Sequence, residues 1–336
     1  MNILITSAGR RSYLVKYFKE ALLDKGKVYA SNSEYTIALQ EADDYVVTPM
    51  IYDSNYIEFI IAYCLKNDIK AIISVFDIDL LVLSKSKAHI ESYGIKLLLS
   101  GEEIVSTCND KWLTYKFLRR NGISTPITFK NKNTLITALD NNLISYPIIM
   151  KPRWGMASLG IYIVDNLEEL NFYYKKSLKD ISESYLKIES GFTPTEMVLF
   201  QEVIIGQEYG VDIINDLKGQ FVGVFPKSKV LMRSGETDLG ETVSPLGFES
   251  LAKKISSLLK HEVILSVDCF EFKGEKYVIE MNCRISGHYP LSHLAGVNLP
   301  KQIIDWLEGK ETNSNYFNFK ENLFITKDLI PTILNK

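Results

Sequence analysis

The chain has 336 residues, 46% of them hydrophobic and 24% charged, enough to bury two or three domain-sized cores. Its 38 basic and 41 acidic residues are mixed along the sequence and leave a net charge of −3, which excludes the extended positive face that duplex nucleic acid requires. Cys64, Cys108, Cys269 and Cys283 form no C-x-x-C pair, so neither a disulfide framework nor a structural zinc site is expected; with no basic leader and no apolar run of about 18 residues, the expectation is a soluble cytoplasmic protein.

From the N-terminus, Asn2–Thr6 is an apolar run that predicts a strand, Ser7-Ala8-Gly9 a turn, and Tyr13 to Leu23 a helix by its apolar spacing. The unit recurs: strand at Lys27–Ala30, helix at Tyr56–Lys66, strand at Ala71–Val75, helix at Leu80–Tyr93, strand at Lys96–Leu99. Such alternation predicts a parallel sheet covered by helices over residues 1–105. Ser-Ala-Gly-Arg follows the first strand instead of Gly-x-Gly-x-x-Gly, so no dinucleotide site is expected and the unit reads first as a structural wing. A ligand of such a sheet would still sit at the carboxyl ends of its strands, in the loops Ser7–Arg11 and Phe76–Asp79.

Asn109-Asp110 reads as a helix N-cap, with a helix over Lys111–Asn121 stopped by Gly122. Beyond it the period changes to that of strands, at Pro147–Pro152, Ile161–Val164, Val198–Val203, Glu208–Ile214, Gln220–Val224, Ile264–Phe272 and Lys276–Asn282, with helices at Leu167–Lys179, Pro245–Lys260 and Leu299–Glu308. An antiparallel-rich α+β region is the prediction. Asn313–Asn318 is expected as a surface connection.

Three stretches carry chemistry. In the first, a hairpin with a three-residue turn centred on Gly274 would set Asp268 opposite Glu280, with Asn282 on the same face; a two-residue turn would shift the register and break that pairing. Opposed carboxylates repel unless a cation lies between them, and two carboxylates with an amide oxygen suit Mg²⁺. In the second, Lys151 ends a strand before the small-residue loop Gly155-Met156-Ala157-Ser158-Leu159-Gly160, a cradle for an anion, although it is not a P-loop. In the third, Phe200 to Asp212, two strands joined at Gly206-Gln207 could lie beside an adenine ring, with Glu208 accepting from a ribose. His288 and His293 are expected as surface or substrate-loop residues, and Cys283 lacks an identifiable base that would make it a nucleophile.

In this order and spacing the three stretches resemble the ATP-grasp superfamily, in particular its carbamoyl-phosphate-synthase-like branch, over nearly the whole chain. The resemblance implies an N-terminal parallel-sheet α/β domain (1–105), then a two-subdomain ATP-grasp fold (106–190 with the phosphate loop, 191–310 with the metal site) and a tail (311–336). It implies ATP and Mg²⁺, with Mn²⁺ as a substitute. By residue, it implies Lys111 and Lys151 at the nucleotide, Gly155, Ser158 and Gly160 over the phosphates, and Gln201, Glu202 and Val203 at the adenine. Glu208 would meet the ribose, Asp268, Glu280 and Asn282 the metal, and Arg284 the acyl phosphate and transferring phosphoryl. The segment Pro226–Thr237 resembles a loop facing the acceptor, where Lys229 and Arg233 could bind an anionic group. Cys283 stands where many members carry proline, and the 155–160 loop is less glycine-rich than usual.

The implied activity is a carboxylate–amine ligase that works through an acyl phosphate. One grasp unit is present, so complete carbamoyl phosphate synthesis is not expected. A phosphotransferase and a non-catalytic ATP-binding subunit are the alternatives. Partners are expected to be a small-molecule carboxylate and amine, with no nucleic acid and no membrane, and a homodimer is left open.

Overall fold

The computed structural model describes residues 1–155, 159–191 and 193–335. Its first layer is a five-stranded parallel sheet of β1 (Asn2–Thr6), β2 (Val28–Asn32), β3 (Asp44–Val47), β4 (Ile69–Ser74) and β5 (Lys96–Leu97), in the order β3-β2-β1-β4-β5. Strand β1 is central, and its residues from Ile3 to Thr6 are buried because helices cover both of its faces. These are α1 (Ser12–Leu22), α2 (Ile37–Glu41), α3 (Tyr56–Lys66), α4 (Asp77–Lys85) and α5 (Lys87–Ser92). The single helix expected over Leu80–Tyr93 is two, because Ser86 ends α4 and begins α5, and the first of them starts at Asp77.

Helices α6 (Glu102–Asn109) and α7 (Lys111–Arg120) lead into the second half. Asp110 caps α7 as its spacing predicts, accepting from Trp112 N and Leu113 N. A four-stranded sheet follows, of β6 (Thr128–Phe129), β7 (Ile148–Pro152), β8 (Tyr162–Val164) and β9 (Val198–Glu202), all antiparallel and ordered β6-β9-β7-β8. Helices α8 (Lys132–Asp140), α9 (Leu167–Ser182) and α10 (Lys187–Gly191) belong to this part, and the buried faces of α8 and α9 share one apolar cluster with its strands.

The largest sheet has six strands, β10 (Gln207–Asn215), β11 (Phe221–Arg233), β12 (Glu236–Thr242), β13 (Ile264–Phe272), β14 (Glu275–Asn282) and β15 (Phe324–Thr326), in the order β14-β13-β10-β11-β12-β15. Helix α11 (Glu249–Leu259) buries Ala252, Ile255 and Leu259 against it, and α12 (Tyr289–Leu294) and α13 (Leu299–Leu307) carry the chain back to the first unit. Ile303, Ile304 and Trp306 of α13 share a core with Leu14, Val15 and Phe18 of α1, so the two halves pack as one body. The strand expected to end at Val224 continues to Arg233. Pro226 does not stop it, because its carbonyl accepts from Val243 N just past the end of β12, and its missing N–H faces that same side, where the β12 strand has ended.

Candidate active site

The cleft between the four-stranded and six-stranded sheets has a volume of about 370 Å³ and is floored by β13 and β14. The hairpin joining these strands has the expected pairing through a different turn. Phe272 pairs with Glu275 across a two-residue turn, Lys273-Gly274, with φ of 51° and 80°, the left-handed pair of a tight hairpin. On its own this turn would put Asp268 out of register with Glu280. The ladder shifts between Asp268 and Cys269, where Ile279 is the extra residue, and this bulge restores the Asp268–Glu280 pair. Asn282 Nδ2 lies 3.3 Å from Glu280 Oε1 on the same face.

Lys229 of β11 stands beside this pair. Its Nζ is 2.7 Å from Glu208 Oε1 and 2.9 Å from Asp268 Oδ1. Burial works against its charge, but Asp268 and Glu208 outweigh that and raise its pKa. The contact to Asp268 is an ion pair without hydrogen-bond alignment, and it leaves buried Asp268 Oδ1 with no hydrogen-bond partner among the described residues. Two facing carboxylates and an amide oxygen fit a hard divalent cation. Among the described residues no group of three or more His, Cys, Asp and Glu could hold a metal, so such an ion would draw its remaining ligands from water or substrate.

On the opposite wall, Lys151 of β7 donates to Gln201 Oε1 at 2.7 Å, and Gln201 Nε2 in turn donates to Thr128 Oγ1 at 2.8 Å. Burial, aided by Lys111 and opposed by Glu280, pushes the Lys151 pKa down to about 8. Lys111 heads α7, donates to the Gly155 carbonyl at 2.5 Å and lies 3.8 Å from Glu280 Oε1. Asp110 and Arg153 brace this corner through a double hydrogen bond of 2.8 and 2.7 Å. Gly155 and Gly160 both hold positive φ, 139° and 69°. Ser158, with Met156 and Ala157, lies outside the described residues.

Residues 203–206 cross from one sheet to the other. Gly206 is required there, because a Cβ would come within 2.0 Å of the Glu271 carbonyl oxygen. Glu202 accepts from Ile127 N at 3.1 Å, and Val203 follows directly on β9.

Arg284, just beyond β14, is buried and held by Asp77 through two hydrogen bonds of 2.7 and 2.6 Å. Arg11 from the loop after β1 donates to the Ile285 carbonyl at 2.7 Å and reaches Glu236 at 3.7 Å. The first unit therefore forms one end of the cleft instead of standing apart as a wing. Arg233 is not brought to the cleft. It sits where β11 turns into β12, 47% exposed and paired with Asp238, on a hairpin and not a loop.

His288 is buried against Asp212 and Asp268 and is no surface residue; a Cβ on Gly210 would come within 2.9 Å of its ring. His293 is half-buried and stacks on Tyr17 with 3.6 Å between ring centroids. The four cysteines are free and buried, and Cys108 and Cys283, distant in sequence, bring their Sγ atoms to 3.0 Å. Sequence reasoning missed Asp77, Arg11 and Glu236 as site residues, although the loops of the first two were marked as the sheet's ligand end.

A parallel α/β unit followed by two antiparallel sheets facing each other across a cleft, lysines on one wall and carboxylates on the other, defines a grasp-type nucleotide fold. Residues 108–288, more than half of the chain, match the family described as ATP-grasp domain, and residues 3–98 match the PylC-like, N-terminal domain. The chain belongs to the ATP-grasp family.

Solved structures share the fold at low identity. Biotin carboxylase from Campylobacter jejuni superimposes with a TM-score of 0.73 at 18% identity, covering 96% of this chain and 74% of that one. For the L-amino acid ligase from Bacillus licheniformis the values are 0.66, 19%, 91% and 74%. For N5-carboxyaminoimidazole ribonucleotide synthetase from Thermotoga maritima they are 0.66, 17%, 94% and 78%. No helix among the described residues is long and apolar enough to cross a membrane.

Proposed function

We propose that the protein is an Mg-ATP-dependent carboxylate–amine ligase. The observation that carries this reading is the single cleft in which Lys111 and Lys151 face Glu280 and Asn282, with Arg284 at its edge.

In this reading Lys111, Lys151 and the backbone of the 155–160 loop hold the phosphates, 201–203 lie along the adenine, and Glu208, shared with Lys229, takes the ribose. Asp268, Glu280 and Asn282 would hold Mg²⁺, which when bound screens the charge of the β- and γ-phosphates. A carboxylate oxygen of the substrate attacks the γ-phosphorus, and the bond to the bridging oxygen breaks with its electron pair leaving on ADP. Arg284, immobilised by Asp77, stands where charge builds on the transferring group and asks for no reorganisation. An amine nitrogen then attacks the acyl carbon, phosphate departs with the C–O electron pair, and the amine proton passes to solvent. No covalent protein intermediate is required, and the side-chain contact that Cys283 makes is to the Cys108 thiol.

The low-identity neighbours agree with this reading in fold, and one of them is described as an L-amino acid ligase. The test is release of ADP and phosphate from Mg-ATP over a panel of carboxylates with and without amines. Turnover that needs both partners supports the ligase; ADP with a stable phosphorylated product would replace it with a phosphotransferase.

A further inference from the structure

Two guanidinium groups converge at the end of the cleft: Arg11 Nη1 and Arg284 Nη1 both approach the Ile285 carbonyl oxygen, at 2.7 and 3.4 Å. Asp77 occupies one edge of Arg284, and no carboxylate among the described residues takes Arg11 in a hydrogen bond, since Glu236 stands 3.7 Å away. Two adjacent cations attract an anion.

The same end presents a fixed carboxylate. Lys327 lies 3.1 Å from Glu236 and also donates to the Gly287 carbonyl at 3.1 Å. Gly287 makes room for the carboxylate, because a Cβ there would stand 2.7 Å from Glu236 Cδ. Held in this way, Glu236 still has 47% of its side chain exposed along the cleft. Burial would favour its neutral form, but Arg11 and Lys327 outweigh that and keep it ionised.

Two small polar side chains next in sequence to Glu236 and Gly287 also line this cleft. Thr237 and Ser286 are 2% and 5% exposed, both line the cleft, and Thr237 Oγ1 and Ser286 Oγ have no hydrogen-bond partner among the described residues.

We propose that this end of the cleft seats the carboxylate substrate and that the substrate is a zwitterionic amino acid, its carboxylate on Arg11 and Arg284 and its ammonium on Glu236. The inference rests on the ligase reading and adds its substrate class. The two signs stand 3.7 Å apart in the protein, the scale on which an α-amino acid carries its own two charges on one carbon. A plain carboxylate would use the guanidinium groups but leave Glu236 unanswered, and a dicarboxylate would be repelled by it.

Hydroxylamine replaces the amine in the test and traps the acyl phosphate as a hydroxamate. The protein is incubated with Mg-ATP, hydroxylamine and each proteinogenic amino acid in both enantiomers, in parallel with its des-amino carboxylate. At least one amino acid should give hydroxamate with equimolar ADP, with its des-amino partner lower in kcat/KM by about tenfold or more. Glu236→Gln should raise the KM for that amino acid by about tenfold or more, leave the KM for ATP unchanged, and leave use of the des-amino acid unchanged or improved. Equal use of amino and des-amino acids by the parent, or equal losses for both in Glu236→Gln, overturns the substrate class while the ligase reading stands. Failure of every carboxylate to release ADP overturns both.

Discussion

The Asp77 carboxylate, in the first turn of α4, grips the Arg284 guanidinium through hydrogen bonds of 2.7 and 2.6 Å and so ties the parallel sheet to the end of β14. Their side chains are 12% and 9% exposed. Asp77→Ala would leave Arg284 a buried cation without its counter-ion, a change that costs about 3–5 kcal/mol. The expected outcome is a lower urea midpoint together with a lower kcat. Because the two residues act as one unit, Asp77→Asn and Arg284→Lys should be strongly non-additive in kcat when combined.

Lys151 gives the cleft a pH response. With its pKa near 8, the ammonium that a phosphate would contact is lost as pH rises through that value. ATP affinity measured by calorimetry should therefore fall between pH 7 and 9, by about tenfold where one charge-assisted contact is nine-tenths deprotonated. Stability moves the other way. The folded chain binds fewer protons at Lys151 than the unfolded chain between about pH 8 and the ordinary lysine value, so this residue's contribution to stability rises with pH across that window. Lys151→Arg should flatten both profiles.

Asp212 and Lys227 form a fully buried pair, 2.5 Å apart with both side chains at 0% exposure, and Ser266 and Ser292 also donate to the carboxylate. Burial would raise the Asp212 pKa, but Lys227 and then His288 hold it below the usual carboxylate value. Lys227→Met strands the charge and should cost about 3–5 kcal/mol, much of it recovered in the Asp212→Asn/Lys227→Met pair. Urea titration of the single and double variants checks this.

Much of the framework was legible because it rests on short-range patterns. β1, α3 and β13 fall on the predicted residues or within one of them, and apolar periodicity together with Asp110 as a cap gave α7. Pairing across the β13–β14 hairpin was reached with the wrong turn. Lys273-Gly274 is a two-residue turn, and nothing in the local sequence marks Ile279 as the bulge that compensates for it. The strand expected over Gln220–Val224 runs on as β11 through Pro226 to Arg233, and what makes the proline tolerable there is the place where β12 stops, which no local pattern marks.

The site was legible in one half. Lysines and carboxylates on strands could be placed by alternation, but Arg11, Asp77, Glu236 and the contact between Cys108 and Cys283 arise from tertiary docking of segments distant in the chain. No spacing rule encodes such meetings.

The measurement that bears most directly on the proposed chemistry is made on Glu280→Gln, with ADP release followed alongside melting with and without Mg-ATP. Glutamine preserves shape and one oxygen but removes the charge that would balance the metal, and without ligand it relieves the repulsion between Glu280 and its strand partner Asp268. The predicted result is a metal-free variant melting no lower than the parent, little stabilisation by Mg-ATP, and turnover nearly abolished. Parental turnover, with Mg-ATP raising the melting temperature as much as in the parent, would contradict the placement of the metal and with it the proposed catalytic centre.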